Sequence, residues 1–70
     1  MTGANLTEAN LTGCDLNYAV LGAVRLDRAQ LAQADLSYAH LEYGILTDAG
    51  LIEATLRGAS LFPAILHRAT

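Results

Sequence analysis

The sequence has no lysine and no tryptophan, and only one cysteine (Cys14), one proline (Pro63) and one phenylalanine (Phe62) in 70 residues. Each scarcity excludes something. One cysteine cannot close an internal disulfide, so nothing ties the chain to an oxidising compartment. Four arginines against seven acidic residues leave a net charge of −3, without the clustered basic residues of a nucleic-acid footprint. No apolar run approaches the roughly 20 residues that span a bilayer. The opening Met1-Thr2-Gly3-Ala4-Asn5 has no basic segment leading into an apolar core, so no secretory signal is read and a cytoplasmic location is expected. Hydrophobic residues make up 53% and charged residues 16%, which excludes disorder driven by polarity. The length allows one domain, residues 1–70, burying only about 60% of the surface its unfolded chain exposes.

What the sequence does have is a period of five. Leucine stands at 6, 11, 16, 21, 26, 31, 36, 41, 46, 51, 56, 61 and 66, with Met1 in the same phase. Two residues before each leucine comes a small residue, alanine in most repeats, with Cys14, Val24 and Gly44 as departures. An α-helix advances about 100° per residue, so leucines five apart would spread round the wheel and leave no polar face. A continuous strand has period two, so the same leucines would alternate between its faces. The pattern closes if each repeat is a short extended piece followed by a corner. The small residue and the leucine then point inward, the residue between them points out, and the last two positions turn the chain. Four corners make a square coil of 20 residues, and successive coils pair at the sheet spacing of roughly 4.8 Å.

The runs Ala4-Asn5-Leu6, Ala9-Asn10-Leu11, Cys14-Asp15-Leu16 and Ala34-Asp35-Leu36 carry an Ala-Asn/Asp-Leu-x-x motif, and the chain resembles the pentapeptide-repeat proteins over essentially its whole length. The resemblance implies an all-β fold, a right-handed quadrilateral parallel β-helix, here of about three and a half coils. In later repeats the Asn/Asp position becomes His40, Ile45, Gly50, Thr55, Ser60 and Ile65, so turn chemistry is expected to change along the stack.

Residues 20 apart then become neighbours. Two interior columns read Ala9, Ala29, Ala49, Ala69 and Ala19, Ala39, Ala59. A third reads Ala4, Val24, Gly44, Ala64, placing the enlarged residue beside the reduced one, as close packing at constant volume requires. Cys14 joins Ala34 and Ala54 and is read as a small interior hydrophobe. One corner column alternates in sign, Glu8, Arg28, Asp48, Arg68; another stacks Tyr18 and Tyr38 above Gly58. Asp15 lies beside Asp35 and reads as a solvated pair.

No catalytic constellation is found, and the chain is not read as an enzyme. The leucine-filled interior offers no cavity, and the outer faces are expected to be flat or convex. His40 lies one coil from Ser60, with no orienting carboxylate or oxyanion site required by the pattern. His67 has no second ligand at metal spacing, and no cofactor, metal, nucleic-acid or membrane partner is expected. Tyr43, Ile45, Phe62, Pro63 and Ile65 make an apolar patch in the later coils where the first coil has Thr2, Gly3 and Asn5; such patches mark interaction surfaces.

A non-enzymatic interaction module with that patch as its contact to a protein partner is therefore the leading expectation. The alternative is a self-assembling structural unit, a homodimer formed through leucine-exposing ends. The family resemblance also implies a DNA-mimicking gyrase-binding role known for some members, but this chain is short, mildly acidic and interrupted by arginines. Members are abundant in cyanobacteria.

Overall fold

The computed structural model describes residues 2–61, 63, 64, 66, 68 and 69. Its backbone pairs with itself at a constant offset. Isolated parallel bridges join Asn5 to Arg25, Asn10 to Gln30, Asp15 to Asp35, Val20 to His40, Arg25 to Ile45, Gln30 to Gly50, Asp35 to Thr55 and His40 to Ser60. Every offset is 20 residues, or four repeats, as the leucine period predicts. Each extended piece is too short for more than one bridge, because a turn follows each leucine from Leu6 to Leu56.

In the middle of the stack the ladder accounts for most backbone donors of each repeat. Around Leu26, the N–H of Arg25 donates to the Ala4 carbonyl at 2.8 Å, that of Leu26 to Ile45 at 2.7 Å and that of Arg28 to Thr47 at 2.8 Å. The N–H of Ala29 returns to the Leu26 carbonyl at 3.0 Å, closing a four-residue turn. The donor left over belongs to the residue just after the leucine. Where Asn or Asp precedes the leucine, its side chain takes that proton: Thr7 N–H donates to Asn5 Oδ1 at 3.1 Å, Thr12 to Asn10 at 3.2 Å, Asn17 to Asp15 at 3.0 Å and Ser37 to Asp35 at 3.0 Å. The Asn/Asp of the motif thus satisfies the one amide the ladder cannot reach.

The second turn residue carries the conformational cost of the corner. Ten non-glycine residues, among them Glu8, Tyr18, Arg28, Tyr38, Tyr43 and Asp48, have φ between 57° and 64°, and Gly3, Gly13 and Gly58 have φ between 69° and 75°. One left-handed residue at the third turn position is the type II arrangement, for which glycine is the ordinary choice. A non-glycine residue there costs roughly 1–2 kcal/mol. The ladder and the leucine core offset that cost at every corner.

The core is concentrated in the middle of the stack. Leu21, Val24, Leu26, Ala29, Leu31, Ala34, Leu36, Ala39, Leu41, Leu46 and Ala49 are essentially fully buried, whereas Leu6, Leu11 and Leu16 on one side and Leu51, Leu56 and Leu61 on the other are half-buried. Each fully buried leucine contributes about 1.5–3 kcal/mol. The Val24 and Gly44 compensation is present: a Cβ on Gly44 would lie 3.6 Å from Val24 Cγ1. Cys14 is half-buried in its interior column.

Candidate interaction surface

The outer columns are positioned by the corners. Tyr18 and Tyr38 stack with ring centroids 5.1 Å apart and planes 13° from parallel. The Tyr38 ring then lies on Gly58, where a Cβ would come within 2.5 Å of the ring carbons. The sign-alternating column forms two pairs, Arg28 Nε to Glu8 Oε2 at 3.0 Å and Arg68 Nε to Asp48 Oδ1 at 2.7 Å. The Asp48 carboxylate raises the pKa of Arg68, through its hydrogen bond first and its charge second. In the neighbouring column Gln33 Nε2 donates to Glu53 Oε1 at 3.0 Å.

Asp15 and Asp35 are bridged neighbours, but each carboxylate is committed to the turn amide two residues on. Ser37, through its hydroxyl first and its backbone N–H second, holds the Asp35 carboxyl below the ordinary aspartate range. His40 is the bridge partner of Ser60, and its Nδ1 lies 3.6 Å from Glu42 Oε2. Among the described residues no group of three His, Cys, Asp or Glu side chains is placed to hold a metal ion, and no helix is long and apolar enough to cross a membrane. His67 lies outside the described residues.

The expectation of flat or convex outer faces fails beside Tyr43. An open apolar groove of about 320 Å³ is lined by Tyr43, Gly44, Ile45, Pro63 and Ala64. Three of the five residues of the sequence-derived patch, Tyr43, Ile45 and Pro63, are thus brought together; Phe62 and Ile65 lie outside the described residues. Tyr43 is the most exposed large apolar side chain of the described residues at 71%. Sequence reasoning missed Gly44 and Ala64 because the period assigns both to the interior; the signal available was Pro63, a proline at a corner that elsewhere needs positive φ. The Tyr43 N–H donates to the Pro63 carbonyl. Regular corners set a different acceptor: Glu8 N–H reaches Asp27, Tyr18 reaches Ser37 and Tyr38 reaches Arg57, each 19 residues on. The Pro63 carbonyl that the Tyr43 N–H reaches lies 20 residues on, at the edge of the groove.

The repeat, the 20-residue register and the corner chemistry agree with the comparisons. The model of pentapeptide repeats matches residues 4–42 and 29–68, with eight copies. The chain belongs to the pentapeptide-repeat family. Among solved structures, this pentapeptide-repeat chain is similar to alr5209, a pentapeptide repeat protein from Nostoc, with 34% identity and a TM-score of 0.55 over 94% of this chain and 59% of that one. It is also similar to HetL, a pentapeptide repeat protein involved in heterocyst differentiation regulation in a Nostoc strain, with 36% identity and a TM-score of 0.51 over 97% of this chain and 38% of HetL. The fold is accordingly the right-handed β-helix of the family. The chain spans about three fifths of the first structure and two fifths of the second. No curated protein matches the sequence.

Proposed function

We propose that this pentapeptide-repeat chain is a non-enzymatic, cytoplasmic interaction module, and that the groove between Tyr43, Ile45 and Pro63 is its contact with a protein partner. The observation that carries the proposal is the groove itself, an open apolar concavity on the outer face of the stack. Its reasoning is physical. The repeats, as three and a half coils of a quadrilateral helix, hold their outer side chains on a backbone bonded from coil to coil. A partner therefore meets a preorganised surface and loses little ordering entropy to it. The groove offers apolar area in which the Tyr43 phenol is the one polar side-chain group among the lining residues, a composition suited to binding more than to bond chemistry. HetL, whose role is in the regulation of differentiation, shows that the same fold can serve a regulatory protein.

The test uses substitutions that the fold tolerates. Asp48 already adopts φ 59° at a corner, so Tyr43→Asp places a permitted residue at φ 64°. Ile45→Asn restores the motif residue, with an acceptor for the Thr47 amide like that of Asn5 for Thr7. The double variant is expected to keep its thermal midpoint and to lose partner capture from a cell lysate; capture at the native level by a folded variant would refute the proposal.

A second reading, self-association through the ends of the stack, rests on the half-buried leucines of the outer coils. Light scattering across a wide concentration range distinguishes it, since a mass that stays monomeric throughout would dismiss end-to-end pairing.

A further inference from the structure

The walls of the groove restrict what can lie in it. Its amides are already committed: Tyr43 N–H donates to the Pro63 carbonyl, Gly44 N–H to Leu41 at 2.9 Å and Ile45 N–H to Val24 at 2.9 Å, while the Ile45 carbonyl accepts from Leu26 at 2.7 Å. Pro63 has no N–H to offer. A partner strand added edge-on needs free N–H and C=O groups, so residues 43–45 give it no ladder. A docked helix is no better matched. It anchors through residues i to i+7, roughly 10 Å of axis, whereas the lining residues come from two coils about 4.8 Å apart. The volume of about 320 Å³ is near the roughly 300 Å³ lower limit of ligand sites, room for a few side-chain atoms of a narrow ligand. The rim adds a charge. Arg25 is engaged by Asp27 at 3.3 Å and Arg68 by Asp48 at 2.7 Å. Glu42, the residue before Tyr43, is 38% exposed and meets no guanidinium among the described residues; its contact is the His40 imidazole, Nδ1 to Oε2 at 3.6 Å.

We infer that the groove takes a proline-rich segment in the polyproline II conformation, with a lysine or arginine beside the prolines to pair with Glu42. This rests on the reading of the groove as a protein contact and names the chemistry of the partner. Polyproline II has no internal hydrogen bonds and needs no ladder partner, so a wall without free amides suits it. Its proline rings pack on aromatic and apolar surface, here Tyr43, Ile45 and Pro63, and the segment is ordered before it binds. Its carbonyls are unbonded, so one of them accepts from the Tyr43 phenol, the one polar side-chain group of the lining. The basic residue meets Glu42 at the rim and selects among proline-rich segments by charge.

The test titrates the isotope-labelled full chain with three synthetic peptides, each to about 1 mM: repeats of Pro-Pro-Arg, repeats of Pro-Pro-Glu, and an alanine-arginine helix former. The Pro-Pro-Arg peptide should shift the amide resonances of Tyr43, Gly44, Ile45 and Ala64 saturably, the Pro-Pro-Glu peptide more weakly, and the helix former not at all. Tyr43→Phe should weaken the first peptide by about threefold to tenfold through loss of the phenol hydrogen bond. Glu42→Gln should remove the preference for arginine over glutamate. No saturable shift with Pro-Pro-Arg, equal shifts with the helix former, or shifts confined to residues outside 43–45 and 64 would overturn the inference. Two failures are separable with the folded Tyr43→Asp, Ile45→Asn double variant. If that variant loses partner capture while the native chain ignores Pro-Pro-Arg, the ligand assignment falls alone and the groove stands as a contact of another kind. If capture survives in it, the reading of the groove as the contact falls, and this inference with it.

Discussion

Leu31→Ala should cost about twice what Leu11→Ala costs, although the two leucines are one coil apart in the same column. Leu31 is fully buried, in the coil that has neighbours on both sides. Buried Leu→Ala changes cost about 2–5 kcal/mol, depending on how far the site can collapse. Collapse is resisted here because the backbone is bonded in both directions, Gln30 N–H to Ala9 at 2.8 Å and Leu31 N–H to Gly50 at 2.7 Å. The loss should therefore fall in the upper part of that range, at about 4 kcal/mol. Leu11 is half-buried at the outer coil and should lose about 2 kcal/mol by the same area argument. A domain of this size holds a total of about 4–10 kcal/mol, so the first change should come close to unfolding it. Urea unfolding followed by circular dichroism gives both values. Equal losses, or a larger loss at Leu11, would refute a core centred on residues 21–49.

Further predictions follow from individual corners. Gly58→Ala should destabilise by about 1–3 kcal/mol from overpacking against the Tyr38 ring, and the near-ultraviolet dichroism of the tyrosine stack should change with it. Asp35 has a folded pKa below its unfolded value, so its stabilisation is present above the unfolded value and is lost as pH falls through the folded one. Asp35→Asn should flatten the acid limb of the stability profile, measured by thermal unfolding from neutral to acid pH. The exposed Glu8–Arg28 pair should give a coupling of about 0–1 kcal/mol in a double-mutant cycle, shrinking with added salt.

The leucine register, the Glu8–Arg28 and Asp48–Arg68 pairs, and the tyrosine stack on Gly58 were all legible in the sequence. Each follows from adding 20 to a residue number once the period is known. The left-handed corners at Tyr18, Arg28 or Gln33 were not legible, because those residues have no preference for positive φ and adopt it under the constraint of the ladder. The function of the Asn/Asp position also became clear only with the bonds in view, since composition does not say which amide the ladder leaves unpaired. The groove was half legible. Its apolar side chains Tyr43, Ile45 and Pro63 stood out against the polar first coil. Its depth did not, because a strict period treats Pro63 as another corner and Gly44 as another interior position.

The contact proposed for the groove is tested most directly by a photo-crosslinking residue placed at position 43, compared with one at position 18. Both positions lie at exposed left-handed corners, and the tyrosines there are 71% and 66% exposed, so reactivity towards bystanders should be similar. A discrete protein adduct formed from position 43 and not from position 18 is the predicted result. An adduct formed equally from both, or from position 18 alone, would contradict the assignment of the groove as the interaction surface.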